Sequence, residues 1–252
     1  MAKTNPIRAA WAQDRTLHGI WCAMPGSVPT EFIARQGPDY VCIDYQHGLV
    51  DHGVGITMIQ AIELGGAIPI ARVGGNDPWA ITRVLDAGAR AVVVPMVNSP
   101  GDAAAAVRAC RYPPHGDRSF GPTRAKEVIG SARLDDLDAV CLVMVETAEA
   151  VANVQAIAAT PGLDAIYIGP ADLSISLGVP INHQEPHHRL RSAVDQIVAA
   201  ARVHGVAVGI QAVNGEVARR YTKAGFDMVT VGMDTFMLTS AVQEHLTLAR
   251  AD

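Results

Sequence analysis

Glu146 stands where the apolar run Cys141-Leu142-Val143-Met144-Val145 ends, and Asp172 closes the turn Gly169-Pro170-Ala171-Asp172 after the next such run. Two acids that leave neighbouring strands at one end can hold a divalent cation together. Each also has a plainer reading as the acid that opens a helix, because helix N-termini favour negative charge. Arg72 ends the run Ile68-Pro69-Ile70-Ala71. A guanidinium there is costly unless it reaches an anion, so it holds a substrate oxygen or pairs with Asp44 or Glu146. In Asp44-Tyr45-Gln46-His47-Gly48 the acid is placed to orient the His47 ring for proton transfer. The plainer reading of His47 is a surface loop residue. A cation site, an arginine for an anionic oxygen and a histidine for a proton are the equipment for making an enolate. They point to an aldolase or lyase acting on 2-keto acids.

The lysines narrow the mechanism. A Schiff-base aldolase needs a lysine projecting from a strand end. The chain has only Lys3, Lys126 and Lys223, at the terminus, in a long loop and on a predicted helix. The carbonyl electron sink is therefore expected to be a metal ion. His183, His187 and His188 fall in a polar connection and read as surface residues.

These residues need a scaffold that brings them together. One pattern recurs along the chain: a helix closed by Gly, then a short apolar run. Examples are Leu64-Gly65-Gly66 before Ala67-Ile68-Pro69-Ile70, and Asp86-Ala87-Gly88 before Ala91-Val92-Val93-Val94. Short, wholly apolar runs fit parallel strands covered on both faces. Eight of them start near residues 17, 40, 67, 91, 140, 165, 206 and 227. Eight alternating units in a chain of 252 residues predict a (β/α)₈ TIM barrel, whose strand C-termini all open onto one mouth. An open doubly wound sheet would have fewer strands and a Gly-rich first turn, and Met24-Pro25-Gly26-Ser27 is no such fingerprint. No linker divides residues 1–252, so one domain is expected. Two long connections, Arg111–Asp138 and Leu173–Pro186, break the rhythm, and loops of that length are usually functional.

Composition excludes other classes. Lys plus Arg total 20 against 25 for Asp plus Glu, with no basic block, so nucleic acid is an unexpected partner. No apolar stretch approaches a membrane span and the first residues do not read as a signal peptide. Cys22, Cys42, Cys110 and Cys141 are far apart without a Cys-x-x-Cys pair, as expected for free thiols in a reducing cytoplasm.

Several motifs together resemble a known family. Asp44-x-x-His47, Ala71-Arg72-x-x-x-Asn76-Asp77-Pro78, Val94-Pro95-Met96-Val97, Arg111-Tyr112-Pro113-Pro114, Glu146-Thr147 and Ile168-Gly169-Pro170-Ala171-Asp172-Leu173-Ser174 look like the HpcH/HpaI aldolases of the phosphoenolpyruvate/pyruvate barrel superfamily. The resemblance runs from about Trp21 to Asp234, and the Gly-Pro-Ala-Asp-Leu-Ser run is its most specific part. It implies that Glu146 and Asp172 bind a divalent metal (Mg²⁺, Mn²⁺ or Co²⁺) and that the N–H groups of Ala171 and Asp172 at the Gly169 turn receive a pyruvate carboxylate. It implies further that Arg72 holds the enolate oxygen and that His47 with Asp44 moves protons. Trp21 matches an aromatic at the mouth of the first strand, and Asp86 an acid offered to a neighbouring subunit's site.

Three departures, Met144 where many relatives have Gln, Gln211 where several are apolar, and the loop Arg118-Ser119-Phe120-Gly121-Pro122, which differs from the diacid-specific members, leave the enolate machinery intact and the identity of the aldehyde open. The expected reaction is reversible cleavage of a 4-hydroxy-2-keto acid to pyruvate, or an analogue such as hydroxypyruvate, plus an aldehyde. Citramalyl- or malyl-CoA lyases of the same superfamily are usually longer and carry a basic surface for CoA. A non-catalytic barrel is the reading from a different class. Finally, Met237, Leu238, Ala241, Val242 and Leu246 form an apolar stripe on a predicted terminal helix. It either packs as the barrel's own eighth helix or, as in related barrels, is exchanged between subunits of a hexamer built from dimers.

Overall fold

The computed structural model describes residues 4–251. Eight parallel strands close into a barrel in chain order: β1 (Leu17–Cys22), β2 (Tyr40–Asp44), β3 (Ile68–Arg72), β4 (Ala91–Val94), β5 (Val140–Val145), β6 (Ala165–Ile168), β7 (Ala207–Gln211) and β8 (Met228–Met233). Each begins within one residue of its expected start. All residues of β2, β4, β5 and β6 are buried, as strands with helices on one face and a filled barrel on the other must be. Between strands the chain forms helices that run back along the outside, several opened by side-chain caps such as Asp51, Asp77 and Ser99.

Side chains alternate in and out along each strand, so a residue's parity decides its fate. Trp21, Tyr40, Cys42, Ile70, Leu142 and Tyr167 fill the interior. Midway up, the hydroxyls of Tyr40 and Tyr167 meet Thr230 Oγ1 at 2.8 and 2.6 Å, which satisfies three buried polar groups at once. A Cβ at Gly19 would lie 2.3 Å from the Tyr40 ring, so the phenol fits only because that position has no side chain. Continuing the inward parity to the strand ends places Asp44, Arg72, Glu146, Gly169 and Gln211 around the mouth.

The opposite end is plugged. The helix Pro6–Trp11, absent from the sequence expectation, inserts Ile7 and Ala10 into the inner core. Asn5 caps it through Ile7 N–H at 3.0 Å and ties it to the Arg90 and Asp138 carbonyls. Arg8 then pairs with Asp138 and Asp164, both at 2.7 Å, and Arg111 pairs with Asp164 at 2.7 Å and Asp138 at 3.2 Å.

Four cysteines are buried and free. No helix among the described residues is long and apolar enough to cross a membrane. The last helix, Asp234–Ala249, buries only Asp234. That carboxylate accepts hydrogen bonds from Ala23 and Met24 N–H, both at 3.0 Å, and so anchors the turn after β1. The remaining stripe is not covered by its own barrel: Phe236 is 62% exposed, and Met237, Leu238, Val242 and Leu246 are exposed as well.

Candidate active site

Arg72 reaches the mouth and is held from two sides. Its Nε and Nη2 donate to Asp44 Oδ1 and Oδ2 at 3.0 and 2.6 Å, and its guanidinium carbon lies 5.1 Å from the centre of the Trp21 ring. The ion pair proposed as the alternative to substrate binding thus exists, but it occupies one edge of the fork only. Nη1 has no protein partner among the described residues. Burial alone would raise the Asp44 pKa. The Arg72 bonds and the N–H groups of His47 and Gln46 outweigh it and hold Asp44 below the usual carboxylate range.

Asp44 therefore acts differently from the expectation. It does not meet the His47 ring; Oδ1 accepts the backbone N–H groups of Gln46 at 2.9 Å and His47 at 3.2 Å. One carboxylate thereby fixes Arg72 and the loop carrying His47, while the imidazole stays exposed at the mouth. Trp21 is also displaced from its expected role. It is 1% exposed, lies beneath Arg72 and stacks near Tyr167 at 5.4 Å, so it is a floor for the arginine, not a wall of the mouth cavity.

Glu146 is 1% exposed, and Oε1 accepts the Met96 N–H at 2.8 Å. Met96 takes a left-handed conformation (φ 55°) at the turn after β4, which aims that N–H inward. Oε2 has no hydrogen-bond donor among the described residues. A Cβ at Gly169 would sit 2.6 Å from it, so the glycine is what leaves space at that oxygen. Burial raises the Glu146 pKa and the Asp172 charge adds to it, against the Met96 N–H and Arg72. Asp172 lies exposed in the first turn of the helix Pro170–Ser176 and makes no ion pair among the described residues. Two neighbouring carboxylates, one deeply buried and neither bonded to a cationic side chain, fit a divalent ion. A two-carboxylate set leaves the other positions to water and substrate oxygens, as Mg²⁺ sites do. No cluster of three His, Cys, Asp or Glu exists among the described residues to suggest a fuller protein cage.

Above these groups is a cavity of about 310 Å³, lined by His47, Arg72, Asp172, His183 and Gln211 together with apolar side chains. A larger cavity of about 570 Å³ lies at the plugged end beside Arg111, Tyr112 and Asp138. Its arginine is engaged with Asp138, Asp164 and two backbone carbonyls, unlike Arg72 at the mouth, which keeps one edge of its fork open.

The family model for HpcH/HpaI aldolase/citrate lyase matches residues 19–241. The chain belongs to that family. A hydroxypyruvate/pyruvate aldolase from Rhizorhabdus wittichii is 39% identical over 250 residues, covering 98% of this chain and 99% of its own. A 4-hydroxy-2-oxo-heptane-1,7-dioate aldolase from Escherichia coli is 36% identical, covering 95% and 92%. Among solved structures, a HpcH/HpaI aldolase/citrate lyase family protein from Burkholderia cenocepacia superposes with a TM-score of 0.89 at 33% identity, over 98% of this chain and all of that one.

Asp86 ends the helix Pro78–Asp86 on the plugged side, away from its own mouth, and binds Arg118 Nη2 at 2.7 Å. Arg118 lies in the long 111–138 connection and rests over Tyr112 at 4.6 Å. Asp86 thus orders this loop within its own chain. His183, expected at the surface, instead lines the mouth cavity, because the connection after β6 folds back over the barrel. Its position after a strand's C-terminal end was the available signal. His187 and His188 stack on each other 4.1 Å apart away from the cavity. Lys126 is paired with Glu127 at 3.9 Å on the helix Ala125–Ile129, and Lys223 is exposed at the end of another. Lys3 lies outside the described residues.

Proposed function

We propose that this chain is a metal-dependent pyruvate aldolase that reversibly cleaves a 4-hydroxy-2-keto acid into pyruvate, or hydroxypyruvate, and an aldehyde. The observation that carries the reading is the buried Glu146 beside Asp172, two acids that bond no cationic side chain among the described residues, next to Arg72 in a cavity that no described lysine lines. A divalent ion (Mg²⁺, Mn²⁺ or Co²⁺) held by Glu146 and Asp172 supplies Lewis-acid polarisation of the keto acid. The N–H groups of Ala171 and Asp172, left without intrahelical acceptors in the first turn of their helix, receive the carboxylate beside Gly169. Arg72 offers Nη1 to the 2-oxygen while Asp44 keeps its fork fixed. In cleavage, His47 takes the 4-hydroxyl proton, C4 becomes the aldehyde carbonyl, the C3–C4 bond breaks and its electron pair forms the enolate. Once the aldehyde has left, His47 returns that proton to C3, which becomes the methyl group of pyruvate, or the hydroxymethyl group of hydroxypyruvate. Trp21 and Asp44 are positioning residues; Gln211 faces the aldehyde.

The oligomer belongs to the same reading. The uncovered apolar stripe on Asp234–Ala249 is exchanged between subunits in a hexamer built as a trimer of dimers, which also brings Asp86 to a neighbouring mouth. Light scattering is expected to give no active monomer at nanomolar concentration; an active monomer would return both features to intrachain roles. Incubating pyruvate or hydroxypyruvate with a panel of aldehydes, and reading products by mass spectrometry, tests the activity itself. A new carbon–carbon bond is expected with metal present, and Glu146→Ala and Asp172→Ala should lose metal affinity and product together.

A further inference from the structure

The mouth has two sides that differ in chemistry. Asp172, Arg72 and His47 face the reacting carbons. Across from them the wall is apolar (Ile181, Val213, Met233, Phe236) except for Gln211 and His183. Gln211 is the last residue of β7, and the β6–β7 register, with Ile168 opposite Ile210, sets it beside Gly169. It therefore stands at the height where the acceptor end of a keto acid leaves the metal site. Its amide makes no hydrogen bond among the described residues, and neither does the His183 ring. Both are half-buried. Their polar atoms still reach solvent in the open cavity, so a ligand that displaces this water must bond them or leave them unpaired.

We infer that Gln211 and His183 form a subsite for a hydroxyl group of the acceptor, so that the preferred aldehyde is short, neutral and hydroxylated. The inference rests on the aldolase reading and extends it to the substrate's second half. Gln211 both donates and accepts, as a hydroxyl requires. Burial lowers the His183 pKa, which keeps its ring neutral and able to do the same. A carboxylate on the aldehyde has no partner in this wall. Arg72 is committed to Asp44 through Nε and Nη2 and, in the proposed reaction, to the keto acid's 2-oxygen through Nη1, and the other charged side chain lining the cavity is the Asp172 carboxylate. The volume, about 310 Å³, is at the low end for ligand pockets and must also hold the keto acid, which limits the acceptor to a few carbons.

The test compares glycolaldehyde with propanal, which have the same number of heavy atoms, as acceptors for pyruvate with metal supplied. The quantity read is the ratio of their kcat/KM values in wild type, Gln211→Leu and His183→Leu. Taking ratios across variants cancels the intrinsic electrophilicity of each aldehyde. One hydrogen bond is worth about tenfold, so the ratio should fall ~10-fold in Gln211→Leu and by a smaller factor in His183→Leu. His183 is on a loop, so its variant remains informative if the strand variant folds poorly. Ratios equal to wild type in both variants, or a wild-type preference for succinic semialdehyde over glycolaldehyde, would overturn the subsite. Methyl-proton exchange of pyruvate by the wild type separates the two levels. Exchange with unchanged ratios removes this inference alone, whereas no exchange removes the aldolase reading and the subsite with it.

Discussion

At the plugged end of the barrel Arg8 and Arg111 share Asp138 and Asp164, and Asp164 also accepts the Cys141 N–H at 2.8 Å. At the mouth Glu146 and Asp172 stand near each other; Glu146 accepts one backbone N–H, from Met96, and no cationic side chain among the described residues bonds either acid. One end neutralises its charges, whereas the other leaves the buried Glu146 and the exposed Asp172 without a cationic partner among the described residues. A buried carboxylate without a partner costs stability when ionised, a cost that an ion bound from outside the chain would offset. The comparison separates residues that hold the barrel together from residues that wait for a ligand, consistent with the division between the two faces of such barrels.

Arg72 bridges the two kinds of residue and gives the largest expected effect. Arg72→Ala should cost about 3–4 kcal/mol in the activation barrier, as loss of an oxyanion donor does. It also strands Asp44, so stability to urea should fall alongside. Arg72→Lys keeps a charge but not the two-pronged grip on Asp44. A lysine variant with wild-type kcat/KM would show that the fork geometry is irrelevant.

Asp164→Ala probes the other end. It leaves Arg8 and Arg111 partly unpaired and the Cys141 N–H without its acceptor, and should lower stability by about 3 kcal/mol in urea unfolding. Metal affinity measured on the folded protein should not change. A change in metal affinity without a loss of stability would erase the distinction between the ends.

Glu146→Gln is the smallest and most diagnostic change. Burial raises the Glu146 pKa, so its contribution to stability is greatest below the ordinary carboxylate range and is lost as pH rises through the raised value. The glutamine keeps the Met96 hydrogen bond and removes the charge. In metal-free protein at pH 7 it should stabilise by on the order of 1 kcal/mol, and the gain should vanish on acidification. Asp44 behaves oppositely: its pKa is depressed, so its contribution is present above the ordinary carboxylate value and lost as pH falls through the lowered one. Thermal melts of both proteins with and without metal read this sign directly. Destabilisation of the metal-free variant would mean that Glu146 is already compensated.

The strands were legible because parallel strands buried on both faces leave short apolar runs bounded by helix-ending glycines. Their places at the ends of those runs then made Asp44, Arg72 and Glu146 legible as mouth residues. Other parts were not. The hold of Met96 on Glu146 uses a backbone N–H, which any residue supplies, so side-chain identity carries no trace of it. Asp44 three residues before His47 suggested a contact with the ring, but the turn folds the backbone onto the carboxylate instead. His183 belongs to a long irregular connection whose path depends on tertiary packing. The helix Pro6–Trp11 did have a signal, Asn5 before Pro6, but six residues are too few to show periodicity.

The most direct measurement is solvent exchange of the pyruvate methyl protons, followed by NMR, in chelated protein and after return of Mg²⁺, Mn²⁺ or Co²⁺, with a parallel borohydride trap. Exchange that disappears on chelation, returns with metal and leaves no lysine adduct is the expected result. Undiminished exchange in metal-free protein, or a reduced pyruvate adduct on Lys126 or Lys223, would contradict the assignment of the electron sink to an ion held by Glu146 and Asp172.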